Sequence, residues 1–469
     1  MLDKKLILLY NVFSVQSSDK SRKGTKMAIQ LSDHFTYKKL FKFTLPSVVM
    51  MIFTSIYSVV DGFFVSNYVG KIPFASLNLI FPFIMVLGGV GFMFGTGGSA
   101  LVAKSLGEKQ EEKANMQFSL IVYTSLITSV VLAILGIVFI KPITLLLGAE
   151  GEMVGYCIRY GTIILASLPF FMLQFEFQSF FVTAEKPKLG LLVTVVSGVT
   201  NMTLDALFIA VFDFGLVGAA LATAIAQAVG GIIPLFYFSR KNTSLLRFTK
   251  TIFDSRTLIK TCTNGSSELM ANISMSFVCM LYNIQLMKYA GEDGIAAYGV
   301  LMYVNMIFLA IFIGYSVGTA PIISYHFGAK NHSELKSLLQ KSSVIVGICS
   351  VAMLLLGEIL AKPLSLLFVS YDEQLLELTL HGFVIYSFSF LFAGYAIYAS
   401  SFFTALNDGL TSAIISFLRT LVFQVLAVLL LPLIWEIDGI WVSIVVAEFM
   451  AVAVSFVFLV LKKNKYKYW

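Results

Sequence analysis

Six acidic side chains interrupt apolar runs of this 469-residue chain: Asp61, Glu176, Asp205, Glu268, Glu358 and Glu448. An ionisable group inside a membrane-length apolar segment is costly to keep there and marks a route for ions or substrate. Asp61 and Asp205 stand out because counting residues from the ends of their segments puts both at one depth. Eight residues at 1.5 Å each place Asp61 about 12 Å in. Tyr160 and Thr223 reach the same level from two other segments, and Asn201 sits one helical turn before Asp205 on the same face. Two buried carboxylates close together cannot both stay ionised cheaply. Such a pair suits the capture and release of a proton. It equally suits a sodium ion held by the oxygens of Asp61, Asn201, Asp205 and Thr223. The coupling ion, H⁺ or Na⁺, is left open by these residue types, and no other cofactor is implied.

Glu176, Gln178, Glu268, Asn272 and Tyr282 are candidates for lining a substrate cavity, where acids and aromatic faces suit organic cations. Pro46 lies early in the first apolar segment, where the missing backbone donor permits a bend. Enzyme chemistry is not indicated. The four histidines (His34, His326, His332, His381) and four cysteines (Cys157, Cys262, Cys279, Cys349) are scattered, without metal-ligand or redox spacing. No phosphate-binding G-x-x-x-x-G-K-[ST] loop is present to indicate ATP-driven transport.

The elements that must position these residues are membrane helices. The chain is 58% hydrophobic and only 13% charged, with a mean hydropathy of +0.87. A soluble domain carries about 25% charge. This composition excludes a soluble enzyme, a nucleic-acid reader and a disordered chain. Apolar runs predict twelve spans, at about 43–69, 73–103, 117–140, 153–182, 189–211, 215–239, 262–289, 295–327, 339–360, 374–404, 411–433 and 437–461. Of 33 Lys and Arg, 27 fall in alternate connections and at the termini. By the positive-inside rule both termini are then cytoplasmic, in the cell membrane.

The two sets of six spans repeat at a constant shift of 221 residues: Gly70 matches Gly291, Gly97 matches Gly318, Lys109 matches Lys330, and Lys141-Pro142 matches Lys362-Pro363. Six is even, so the halves run in the same direction, an arrangement suited to alternating access. The predicted organisation is an N-terminal extension (1–41), an N-lobe (42–239), a linker (240–261), a C-lobe (262–461) and a basic tail (462–469). The repeat does not copy the acid pair: Tyr282 stands at the place of Asp61, Leu426 at that of Asp205, and Val422 at that of Asn201. Glu448 repeats Gln227, which suggests a shared structural contact. Met27 is a candidate start, because the basic run 35–42 leads directly into the first span; the apolar stretch 6–15 lacks a cleavage site.

Four segments carry a resemblance: LPSVVMMIFTSIYSVVDGFFV from Leu45, NMTLDALFI from Asn201, GLVGAALATAIAQ from Gly215 and SVGTAPIISYHFGA from Ser316. Over residues 40–461 the chain resembles the multidrug and toxic compound extrusion (MATE) transporters, of the prokaryotic type with an N-lobe aspartate pair. The resemblance implies an all-α fold of two six-helix bundles, MATE/MOP-type, that exports organic cations in exchange for H⁺ or Na⁺. It implies coupling residues at Asp61, Asn201 and Asp205, with Tyr160 and Thr223 in support, and a bending proline at Pro46. The expected partners are small hydrophobic or cationic substrates and the lipid bilayer, with no nucleic acid, for a monomer. The alternative is a flippase of the same superfamily moving a lipid or lipid-linked saccharide. Its cavity would need several cations, and only Arg159 and Arg419 lie in or near the spans.

Overall fold

In a bilayer each backbone polar group must find its partner inside the protein, which favours helices. A computed structural model describes residues 29–370 and 372–469 as helices joined by short turns. The candidate start at Met27 and the apolar stretch 6–15 lie outside the described residues.

In chain order the elements are α1 (Tyr37–Phe64, extended by a π-helical turn, Val65–Val69), α2 (Lys71–Gly107), α3 (Glu111–Leu146) and α4 (Glu152–Ala166 and Leu168–Thr183). Next come α5 (Pro187–Asp205, with the π-helical turn Ala206–Val211) and α6 (Gly215–Ser239). Helices α7 and α8 share one stretch, Ser255–Gly328, broken at Gly291, where φ is 63° and ψ −148°. They are followed by α9 (His332–Val369), α10 (Glu373–Ser387 and Phe390–Ala405), α11 (Gly409–Phe417 through Phe423–Leu430) and α12 (Pro432–Tyr466). Nine of these elements are long and apolar enough to cross a membrane, and the two bent pairs, α4 and α10, add two more. Splitting the long element at Gly291 gives twelve.

The 221-residue repeat is a repeat of backbone geometry. The 54° bend in α4 at Ser167 has its counterpart in the 48° bend in α10. Left-handed backbone recurs in register: Gly70 (φ 111°) with Gly291 (φ 63°), Lys109 (φ 61°) with Lys330 (φ 55°), and Gly215 (φ 56°) with Glu436 (φ 48°). In one of these pairs the residue differs, Gly215 against Glu436, so there the turn geometry is kept where the residue type is not.

The lobes meet through paired close approaches. A methyl on Gly97 would lie 2.1 Å from the Thr261 carbonyl oxygen, and one on Gly265 only 1.9 Å from that of Met93. The symmetry mates of these contacts press α8 on α1: Gly314 against Val48, and Gly318 against Thr44. All lie in the half of the bundle nearer the chain termini, called here the terminal face. Toward the far face Gly62, Gly70, Gly291 and Gly299 have open space beside them.

The connecting segments are more built than composition predicts. The extended linker 240–254 docks along α3: the Arg247 amide donates to Asn115 Oδ1 at 2.7 Å, and the Thr249 amide to Ser119 Oγ at 2.9 Å. Helix α7 starts at Ser255, inside the range expected for the linker. Residues 31–36, expected as part of an extension, strap both lobes together. The Leu31 amide donates to Glu185 Oε1 (2.6 Å) and the Phe35 amide to Glu334 Oε1 (2.9 Å), and both side chains are fully buried. The basic tail continues α12 as helix to Tyr466.

Candidate functional site

Asp61 comes near the end of α1 and Asp205 ends the α-helical part of α5. Each helix changes to π-helical hydrogen bonding just past its acid, an irregularity that often accompanies functional sites. The two carboxyl groups are neighbours, with the Thr223 hydroxyl beside Asp61 and the Tyr160 ring beside both acids. Asn201 Nδ2 donates to Thr223 Oγ1 at 3.3 Å. The structure thus brings together all five residues proposed for coupling: Asp61, Asn201, Asp205, Tyr160 and Thr223. Asp205, Asn201 and Tyr160 are at most 3% exposed. Asp61 Oδ1, Asn201 Oδ1 and both Asp205 oxygens are buried without a hydrogen-bond partner among the described residues. Orphaned oxygen acceptors at one point call for a proton or a small hard cation.

Two further residues complete this site. Tyr57, one turn before Asp61, lies beside that acid, and Gln174 of α4 reaches Tyr57. The i, i+4 spacing from Asp61 was the available signal for Tyr57. Nothing in the sequence points to Gln174.

A separate cavity of about 320 Å³ is lined mainly by the C-lobe and closed on the N-lobe side by Phe92, Thr96 and Ser99 of α2 and Ser179 of α4. Glu268, Asn272 and Tyr282, three of the candidate cavity residues, line it. Tyr282 and Tyr298 stack with ring centres 5.2 Å apart, Tyr386 stands near them, and the Tyr282 hydroxyl donates to Gln424 Oε1 at 2.9 Å. Tyr282, at the repeat position of Asp61, thus pairs with an amide and not with a second acid. Glu176 and Gln178 are not among the lining residues. Glu176 is fully buried within the N-lobe, near Ser125, and both of its carboxyl oxygens lack a hydrogen-bond partner among the described residues. Pro46 lies inside one unbroken helix, α1, beside the Ser47–Val48 backbone that Gly314 approaches. Glu448 makes an ion pair with Arg419, Nε to Oε2 2.8 Å. Its repeat mate Gln227 accepts from Ser167 Oγ at 2.7 Å. The position holds a polar side-chain contact in both lobes, with different partners.

Two six-helix lobes, one holding paired acids and the other a polar aromatic cavity, define a polytopic membrane transporter. The MatE family matches this chain twice, over residues 46–207 and 269–430, and the chain belongs to that family of transporters; it is not an enzyme. Among its relatives is "Multidrug export protein MepA" of Staphylococcus saprophyticus, 28% identical over 369 residues, spanning 76% of this chain and 80% of the relative. The protein of that name from Staphylococcus aureus strain N315 is 24% identical, with the same two coverages. Among solved structures, the outward-facing conformation of a multidrug resistance MATE family transporter superposes with a TM-score of 0.89 at 22% identity, over 95% of this chain and 100% of that one. A MOP superfamily transporter from Pyrococcus furiosus superposes at 0.87 and 23% identity, with the same coverages.

Proposed function

We propose that this protein is a multidrug exporter of the cell membrane that moves organic cations outward in exchange for H⁺ or Na⁺. The relatives' multidrug export supports the direction and breadth of transport. The observation that carries the coupling is the juxtaposition of Asp61 and Asp205, with orphaned oxygens, in the lobe opposite the one that supplies most of the cavity wall. With both termini cytoplasmic, the closed terminal face faces the cytoplasm and the far face opens outward.

An ion arriving from outside satisfies the orphaned oxygens and draws α1 and α5 together. Helix α1 also packs on Gly314 and Gly318 of α8, and α8 supplies Ile313, Ser316 and Val317 to the cavity wall. Repacking of α1 therefore reshapes the cavity and releases the cargo. Loss of the ion on the inside restores the cavity for the next cargo. Among the described residues the only guanidinium lining the cavity, that of Arg419, is occupied by Glu448, which disfavours the pyrophosphate group a saccharide flippase would carry.

Ethidium movement in proteoliposomes, driven separately by imposed ΔpH and ΔpNa, tests the reading and identifies the ion. One gradient is expected to drive transport, and Asp61→Asn and Asp205→Asn are each expected to abolish it. Unchanged transport in both variants would sink the proposal.

A further inference from the structure

Three charged side chains from three helices line the C-lobe cavity: Glu268 of α7, Arg419 of α11 and Glu448 of α12. They are not equivalent. Arg419 and Glu448 form a direct ion pair and their side chains are only 14% and 4% exposed. Glu268 has no direct ion-pair partner among the described residues, although it feels the Arg419 charge from nearby. Arginine stays protonated in proteins, and its guanidinium lies in direct contact with Glu448. With both acids ionised, two negative charges and one positive leave a single excess negative charge. Tyr282, Tyr298 and Tyr386 supply aromatic surface for one delocalised or quaternary cation. A second positive centre in the same cargo would meet the guanidinium, not a free carboxylate.

We infer that the Arg419–Glu448 pair sets the charge number of the cargo, so that the cavity selects organic cations bearing one positive charge over those bearing two. The inference rests on the cation-cargo reading above and adds a specificity-determining residue to it. Glu448 is then a positioning residue: it holds the guanidinium away from Glu268 and leaves that acid free.

The test uses the full-length purified chain and two fluorescent probes that share one phenanthridinium ring, ethidium with a single charge and propidium with two. The wild-type chain is expected to bind ethidium more tightly. Arg419→Gln leaves both acids unneutralised, and the propidium-to-ethidium affinity ratio should rise by about 10-fold or more. Arg419→Lys keeps the charge and should keep the wild-type ratio. The double variant Arg419→Gln/Glu448→Gln restores one excess negative charge and should return the ratio toward wild type, which general damage to packing would not do. Glu448→Gln alone frees the guanidinium to neutralise Glu268, and ethidium affinity should fall by about 10-fold.

An unchanged ratio in Arg419→Gln overturns the inference, and so does unchanged ethidium affinity in Glu448→Gln. If the wild-type chain binds neither probe, the cation-cargo reading itself fails. Asp61→Asn separates the two ideas, because it should stop coupled transport while leaving the binding ratio as it was.

Discussion

Asp61 and Glu176 are acids of the same lobe, but they differ in company. Asp61 has a second carboxylate, a threonine hydroxyl and a tyrosine beside it. Glu176 is fully buried near Ser125, away from the cavity. Replacing Glu176 by glutamine removes no ion pair and keeps the shape, so Glu176→Gln is expected to leave ethidium transport and its ion dependence unchanged. Asp61→Asn assayed alongside should be inactive; a loss of coupling in Glu176→Gln would bring that acid into the mechanism. The contrast explains what is legible in the sequence. A charge inside an apolar run is conspicuous, and depth along a helix follows from counting residues, so Asp61, Asp205, Asn201, Tyr160 and Thr223 could be grouped without a structure. Direction around a helix is harder. Helix α4 is bent by 54° at Ser167, and beyond the bend Ser179 reaches the cavity while Glu176 and Gln178 stay buried away from it. Tyr57 and Gln174 are ordinary residues for a membrane helix, and only their neighbours give them a part in the site.

At the scale of elements, the α2–α7 contact is set by missing side chains. A methyl at Gly265 would stand 1.9 Å from the Met93 carbonyl oxygen, a backbone atom that can yield only if the helices separate. Gly265→Ala is therefore expected to cost about 1–3 kcal/mol as overpacking, read as a lowered melting temperature of the detergent-solubilised chain; an unchanged value would mean the helices slide freely. A second device ties the α10–α11 turn to α12. Asp408 accepts from the Tyr466 hydroxyl at 2.7 Å, and Lys462 and Lys465 lie within 3.8 Å. Burial pushes the Asp408 carboxyl up, but the Tyr466 and Thr411 bonds and the two lysines outweigh it and hold it below its usual 3.8. A depressed carboxyl contributes stability that is complete above the unfolded value and lost as pH falls through the folded one. The melting-temperature gap between wild type and Asp408→Asn should thus be full at neutral pH and narrow below about pH 4. A gap that stays constant to pH 3 would remove the ion pairs from the account. Helix number was legible from apolar runs, because the bilayer fixes segment length. The π-helical turns after Asp61 and Asp205 were not, since they are local departures in hydrogen bonding that leave composition untouched. The docking of linker 240–254 was equally hidden, because its polar residues suit water as well as the flank of α3.

For the whole molecule, the duplication makes the lobe interface pseudo-symmetric, with α2 on α7 mirrored by α8 on α1. The repeat was legible in sequence because glycine, proline and lysine kept register over 221 residues. That the same glycines close the terminal face was not, since spacing along the chain does not say which faces meet. Closure there has a mechanical consequence. A transporter working by alternating access must part these contacts once per cycle, so a covalent bond across them should stop it. A side chain added at Gly318 would place its Cβ 3.0 Å from that of Thr44, a few tenths of an ångström short of the 3.5–4.5 Å range of a disulfide. The pair Thr44→Cys/Gly318→Cys, in a chain with Cys157, Cys262, Cys279 and Cys349 replaced by serine, should therefore oxidise to a disulfide between the lobes. A protease site placed in linker 240–254 reports the bond, because the cut lobes stay together on a denaturing gel only when cross-linked. Oxidation is expected to abolish ethidium transport and a reductant to restore it. Full transport by the fully cross-linked chain would mean that the terminal face never opens, and cargo would then have to enter between helices of one lobe, directly from the bilayer.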